Sequence, residues 1–418
     1  MPHADSLILT LVGGFVLAFV FGMLANRLKL SPLVGYLVAG IVVGPHTAGF
    51  VADTELAPQL AEIGVILLMF GVGLHFSPAD LMKVRKVAIP GALFQIAAAT
   101  GLGWALGRLL GMDNLEAALM GFALSVASTV VLLRALEERR QVKGDIGGIA
   151  VGWLIVEDLV IVIALVMLPL LIVQPGQELS GAELAGSIGW TLAKVAVFVG
   201  AMLFIGPRVL PWVLVRIAHT KSRELFTLGV LAIALGIAWI AYFMFHSFAL
   251  GAFLAGLVLN SSPLGHNAAE RSLPLRDAFA VLFFVSVGML FDPMILVNRP
   301  LTVLGVLGIV IVGKALAALV ITFAFKLDKA TSLTIAASLA QIGEFSFILA
   351  ALGVTLGALS QETHDLILAA ALMSISLNPF VFKLTDRLGG RPKAGTPAAK
   401  ALEVEKAAEA RKPNPATA

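Results

Sequence analysis

The stretch Gly152-Trp-Leu-Ile-Val-Glu157-Asp158-Leu-Val-Ile-Val-Ile163 decides how the chain is read. It sits inside an apolar run, Ile146 to Val173, long enough to cross a bilayer, for which about 20 apolar residues suffice. Two adjacent acids lie near the middle of that run. An ionised carboxylate at the centre of a membrane helix costs roughly 2.5 to 3.5 kcal/mol on insertion scales, so a segment serving only as an anchor would carry leucine there. Such an acid is either neutralised in a helix–helix contact or placed on an ion or proton pathway, and intramembrane acids usually mark the second. The remaining chain is therefore read outward from Asp158.

The composition agrees with a membrane setting. Of 418 residues, 59% are hydrophobic and only 13% charged, with a mean hydropathy of +0.97, whereas a soluble domain carries about 25% charged residues. The chain is thus an all-α polytopic membrane protein with lipid as its surroundings. No cysteine is present, which excludes disulfides and thiolate metal sites. The net charge of +3 comes from basic residues in short loops between apolar runs, a pattern that speaks to topology and not to nucleic acid. No phosphate loop, zinc-ligand spacing or nucleophile–base motif occurs, so no cofactor, resident metal or covalent catalysis is expected. The N-terminus lacks a basic n-region, and Arg27 and Lys29 follow the first apolar run, as in a retained first helix and unlike a cleaved signal peptide.

Hydropathy gives thirteen apolar runs, at 6–26, 31–50, 58–76, 87–110, 115–134, 146–173, 184–211, 225–244, 247–262, 277–292, 301–325, 330–358 and 364–386. The loops after odd-numbered runs hold seventeen lysines and arginines, among them Lys83, Arg85, Lys86, Arg139, Arg140, Arg216 and Lys326, against Arg108 and Arg299 after even-numbered runs. The positive-inside rule then puts the N-terminus outside and the C-terminus in the cytoplasm. From Leu388 the composition turns to Gly, Pro, Ala, Lys and Glu. Residues 1–388 are accordingly expected to form the membrane domain, and 389–418 a polar, disordered cytoplasmic tail.

An internal repeat links the halves. Ile66-Leu-Leu-Met-Phe-Gly-Val-Gly-Leu-His-Phe-Ser-Pro78 aligns with Val281-Leu-Phe-Phe-Val-Ser-Val-Gly-Met-Leu-Phe-Asp-Pro293. Gly35, Ala39, Gly40 and Val42 align with Gly251, Ala255, Gly256 and Val258 at nearly the same offset. That offset equals seven runs, an odd number, so the two halves are inverted in the membrane. Inverted repeats are a transporter signature, with the site at the midplane.

The same offset pairs the fifth run with the twelfth, and both look broken. Ser125-Val-Ala-Ser128-Thr129 puts small hydroxyl residues at mid-depth in one, and Ala340-Gln341-Ile-Gly343-Glu344 puts an amide, a glycine and an acid at mid-depth in the other. Unwound backbone at that depth is tolerated where it is buried in protein or lines a cavity, and half-helix ends there offer carbonyls to cations. Serine and threonine also serve as packing contacts between membrane helices, so the fifth run alone does not establish a break. Lys314 lies in the middle of the eleventh run. At a rise of 1.5 Å per residue, Asp158 lies about 18 Å and Lys314 about 20 Å from the respective helix starts, both near the midplane of a core about 30 Å thick. An acid and a cation at one depth are expected to pair or compete.

Four motifs carry a family resemblance over Leu7 to about Leu388. They are Ser31-Pro-Leu-Val-Gly-Tyr-Leu-Val-Ala-Gly40, Leu60-Ala-Glu-Ile-Gly-Val-Ile-Leu-Leu-Met-Phe70, Phe248-Ala-Leu-Gly-Ala-Phe-Leu-Ala-Gly256 and Gln341-Ile-Gly-Glu-Phe345. The chain resembles the Kef-type potassium/proton antiporter branch of the monovalent cation:proton antiporter-2 family. The resemblance implies about thirteen transmembrane helices in a sodium/proton-antiporter-like fold, usually as a homodimer. A core with two crossed broken helices would move against a dimerisation domain. It further implies Asp158 as the cation- and proton-binding acid and Lys314 as the basic residue facing it. Kef systems typically carry Gln-Asp at the central pair, and many sodium/proton antiporters Asp-Asp. Glu157-Asp158 departs from both. The nucleotide-binding regulatory domain of many Kef proteins has no counterpart in the resemblance, so its gating is not carried over, and a separate regulatory subunit stays open.

The expected function is secondary transport at the midplane in a bacterial inner membrane, exchanging K+ or, second in preference, Na+ for protons by alternating access. Ionised Asp158 would hold the cation together with Ser125, Ser128 and Thr129. Gln341, Gly343 and Glu344 would form the second break, and Glu157 would either pair with Lys314 or carry a second proton. The alternative is a channel-like potassium efflux system lacking its regulatory domain.

Overall fold

The computed structural model describes residues 3–28, 30–47, 56–75, 78–141, 145–172, 181–245, 248–260, 262 and 264–390. The tail expected at 389–418 lies outside them from residue 391 onward. Among the described residues regular structure is helical throughout. In chain order the helices are α1 (His3–Arg27), α2 (Pro32–Val43), α3 (Leu56–His75), α4 (Pro78–Leu109), α5 (Asn114–Ser125), α6 (Thr129–Glu138) and α7 (Asp145–Leu171). There follow α8 (Gly181–Phe204), α9 (Gly206–Ala218), α10 (Arg223–Phe245), α11 (Phe248–Asn260), α12 (Gly265–Met289) and the single turn α13 (Ile295–Asn298). The last are α14 (Pro300–Gly308), α15 (Lys314–Ala324), α16 (Lys329–Leu339), α17 (Glu344–Thr355) and α18 (Gln361–Thr385). Among the described residues nine helical spans, or ten if the bent α8–α9 pair is one span, are long and apolar enough to cross a membrane. Three further apolar helices, Pro32–Val43, Gln59–Leu74 and Phe248–Asn260, are shorter. This is a multi-pass membrane protein.

Local chemistry starts these helices where polar residues interrupt the apolar runs. Ser31 caps α2 ahead of Pro32, Asp113 caps α5 through the Glu116 N–H, Asp328 caps α16 and Ser360 caps α18. Each side chain satisfies one of the amide groups that a helix start leaves without a partner. The seventh run, expected as one segment over 184–211, instead bends by 49° between Ala193–Phe204 and Gly206–Ala218. Pro207 stands at the start of α9, where its missing N–H does no harm and its fixed φ favours a fresh helix start.

The chain divides into two compact units, Met1–Ser77 with Val160–Met294, and Pro78–Leu159 with Ile295–Ala418. In the first unit the repeat becomes a packing symmetry. A Cβ on Gly40 would overlap the Val285 carbonyl, and one on Gly288 the Leu37 carbonyl, so α2 and α12 touch backbone to backbone. The repeat mates of these glycines, Gly256 and Gly73, bring α11 and α3 equally close, over the carbonyls of Phe70 and Phe253. Small residues at helix crossings supply van der Waals contact where lipid offers no hydrophobic drive. Outward faces carry large apolar side chains, such as Phe19 at 65% and Phe243 at 79% exposure, which suit contact with lipid.

The second unit holds the two breaks. α4 packs on α5 and α15, and α18 packs on α14, α16 and α17. A π turn, Ile309–Gly313, joins α14 to α15 immediately before Lys314; such turns inside helices occur often at functional sites. Pro379 lies within α18, and the neighbouring Asn378 donates to the Ala337 carbonyl of α16 at 2.9 Å.

Candidate functional site

The site grows from two stretches of unwound backbone. α5 stops at Ser125, Val126 is extended at φ −87°, ψ 129°, and α6 restarts behind Ser128. α16 stops at Leu339 and α17 restarts at Glu344 behind an extended Gly343. The two stretches cross and bond. The Gly343 N–H donates to the Val126 carbonyl at 3.0 Å. The Gln341 side chain grips Ser128 twice, accepting from its N–H at 3.0 Å and donating to its carbonyl at 3.1 Å. A Cβ at position 343 would stand 2.6 Å from the Ala127 carbonyl, so only glycine permits this approach. Unwound backbone deep in a membrane protein must find such partners, because lipid supplies none.

Further polar side chains brace the crossing from outside. Ser346 donates to the Ala123 carbonyl at 2.6 Å, and Ser374 of α18 accepts from the Ile342 N–H at 3.3 Å. Ser125 is occupied locally, donating to Phe122 in its own helix at 2.7 Å. Of the three hydroxyl residues expected around the cation, Thr129 donates to Asp158 Oδ2 at 3.1 Å, and Ser128 donates to Glu344 Oε2 at 2.8 Å.

The charged groups divide into two sets. Glu157, fully buried, accepts from the Ala127 N–H at 2.9 Å and from Gln95 Nε2 of α4 at 2.6 Å. Lys314, also fully buried, donates to the Gln341 carbonyl at 2.8 Å, and the acid its charge acts on is Glu157. The resemblance implied Lys314 facing Asp158, and the residues also allowed a pair with Glu157; the electrostatic partner here is Glu157, successive helical residues pointing about 100° apart. The other set is Asp158 and Glu344, 5% and 2% exposed. Each keeps one carboxylate oxygen, Asp158 Oδ1 and Glu344 Oε1, without a hydrogen-bond donor among the described residues. They are close enough to act on one another electrostatically.

The crossing thus gathers one ammonium and three carboxyl groups, all of them buried. Buried charge without compensation is strongly unfavourable. Lys314 can balance only one of the three acids, so the other two are groups that a proton or a cation could neutralise. What the arrangement offers chemically is carboxylate oxygen, which a proton or a cation could occupy. Among the described residues no cluster of histidine, cysteine and acidic side chains suits a resident metal ion.

The sequence had pointed to Glu157, Asp158, Ser125, Ser128, Thr129, Lys314, Gln341, Gly343 and Glu344, and all nine lie in or beside this crossing. It did not point to Gln95, Ser374 or Asn378. Gln95 stands among apolar neighbours on α4, and Ser374 and Asn378 share the apolar middle of α18 with Ser376, so their local setting was the only signal available.

Comparison with known proteins follows the same lines. Residues 15–385 match the family model described as sodium/hydrogen exchanger, transmembrane. A protein of Escherichia coli (strain K12) called putative cation/proton antiporter YbaL is 59% identical over 389 residues, covering 93% of this chain and 70% of the relative. K(+) efflux antiporter 4 of Arabidopsis thaliana is 34% identical over 354 residues, covering 84% of this chain and 59% of the relative. The solved sodium proton antiporter MjNhaP1 of Methanocaldococcus jannaschii superposes with a TM-score of 0.70, covering 92% of this chain and all of that one, at 17% identity. That last likeness concerns the fold.

Proposed function

We propose that this chain, which belongs to the sodium/hydrogen exchanger family of transmembrane proteins, exchanges a monovalent cation for protons at Asp158. The observation that carries the proposal is the state of that carboxyl group. It is nearly closed off from solvent, holds one hydroxyl donor through Oδ2, and leaves Oδ1 without any among the described residues. Ionised, Asp158 would take a dehydrated cation, with Thr129 and the carbonyl oxygens of the α5 break completing its shell. Protonated, it would let the cation go. Exposure of the site to one side of the membrane and then the other would couple the two gradients.

K+ is the favoured cation, since relatives bear the names of K(+) efflux antiporters, and Na+ is the second reading, on the family description. On the same reading the working form is a homodimer in a bacterial inner membrane, with the N-terminus outside and the C-terminus in the cytoplasm. Proteoliposomes with a preset pH gradient and an enclosed pH dye test the proposal. Addition of K+ should collapse the gradient in the native chain and leave it standing in Asp158→Asn of equal folded yield. Full exchange by Asp158→Asn would overturn it, and a response to Na+ with none to K+ would reassign the cation.

A further inference from the structure

Gln95 lies fully buried on α4, 62 residues in sequence from the acid it touches. Its Nε2 donates to Glu157 Oε1 at 2.6 Å, while its own Oε1 has no donor among the described residues. A buried amide oxygen without a partner is costly, and an apolar side chain of similar shape would avoid that cost. What the amide contributes is the N–H toward Glu157. An ionised carboxylate can only accept, and here both its oxygens meet donors, Gln95 on Oε1 and the Ala127 N–H on Oε2. A protonated Glu157 would be a donor itself, and the amide would then turn to present Oε1.

We infer that Gln95 is a positioning residue that holds Glu157 as the ionised partner of Lys314, leaving Asp158 as the acid that trades proton for cation. This rests on the reading of Asp158 given above. The groups around Glu157 fit it. α15 contributes Lys314, α4 contributes Gln95, the α5–α6 break contributes the Ala127 N–H, and its own helix contributes Asp158 and Trp153. Glu344 of α17 bears on Asp158. The amide thus separates two adjacent acids into a fixed charge and a carrier, and its orientation follows the proton on Glu157.

The test uses the full chain and a readout that needs no transport. Infrared titration of the purified protein follows the carboxyl C=O band that Glu157→Gln removes. In Gln95→Met, which keeps the length and loses the donor, the band should persist to a pH about one unit higher than in the native chain, the size expected for a hydrogen bond to a charged group. Exchange should become half-active at a correspondingly more alkaline pH, with the KM for K+ on the plateau little changed. In the Glu157→Gln background Gln95→Met should not move the exchange profile, and Gln95→His, which keeps an N–H donor, should return the band toward its native position. Gln95→Leu takes the place of Gln95→Met if the latter does not fold. A Glu157 band that stays where it was would overturn the inference, as would a profile shift of equal size in the Glu157→Gln background. Failure of the Asp158 reading would appear separately, as exchange surviving Asp158→Asn.

Discussion

Ser128 of one broken helix donates its hydroxyl to Glu344 of the other at 2.8 Å, and the same oxygen accepts from the Val131 N–H at 3.3 Å. One hydroxyl thus caps α6 and fixes the acid that opens α17. Ser128→Ala removes both bonds and leaves a second Glu344 oxygen without a donor. Loss of a cap of this kind costs about 0.5–2 kcal/mol, so the melting temperature in detergent should fall and Ser128→Thr should restore much of it. An unchanged melting temperature in Ser128→Ala would refute the double role.

Thr129 is the donor that ionised Asp158 retains. Thr129→Val keeps the shape and removes the hydroxyl. A hydrogen bond to a charged group contributes about 1.5–3 kcal/mol, so the KM for the transported cation should rise on the order of tenfold. Thr129→Ser should stay near the native value. Initial rates of dye recovery against cation concentration give the answer directly.

Lys314 and Glu157 are both fully buried, so removing the ammonium alone should be worse than removing both. Breaking a buried charge pair from one side costs about 3–5 kcal/mol, because an uncompensated charge remains. Lys314→Met should therefore lose most of its folded yield, and Lys314→Met with Glu157→Gln should recover a good part of it. Fluorescence-detected size exclusion of the two variants measures this, and equal losses in the single and double variants would contradict the pairing.

The glycine crossings separate by position. Gly256→Ala would drive a methyl group into the Phe70 carbonyl, and Gly288→Ala into the Leu37 carbonyl. Neither acceptor belongs to a side chain that could turn away, so both variants should show strongly reduced folded yield. Gly101→Ala and Gly236→Ala meet nothing within 4 Å and should be tolerated, with a small gain from helix propensity.

Asp328 gives a pH-dependent test outside the membrane. Partial burial works against its charge, but the Thr331 hydroxyl and nearby backbone N–H groups outweigh it and hold the carboxyl below its ordinary range. A carboxyl depressed on folding stabilises the fold above its unfolded value of about 4 and stops doing so as pH falls through the lower folded value. The difference in melting temperature between the native chain and Asp328→Asn should be full at neutral pH and shrink on acidification below about pH 4. A difference that does not change with pH would rule this out.

The membrane architecture and much of the candidate site were legible before any coordinates. Apolar runs, an inverted glycine pattern and an acid where lipid forbids one are strong signals, since each is expensive in a bilayer unless it is used. Gly343 and Gln341 could be read as a break because glycine and an amide have little other reason to sit there. Gln95 could not, because its meaning lies in a partner 62 residues away, and nothing local to α4 records it. The pairing of Lys314 with Glu157 was one of two roles that the sequence left open for that acid. Adjacent acids share a depth, and only the rotation of α7 about its axis tells which one the ammonium meets. The α8–α9 bend did carry a signal in Pro207, but an averaged apolar run conceals a corner.

The backbone bond from Gly343 to Val126 and the double grip of Gln341 on Ser128 also bear on how such a site can change over generations. Residues 126–128 and 341–344 are read by one another, atom against atom, as two halves of a mould. A substitution on one side is tolerated only when the other side already fits it, so these segments should drift together among relatives. Chimeras that graft 126–128 from a relative should therefore work when 341–344 travel with them, and fail when they do not.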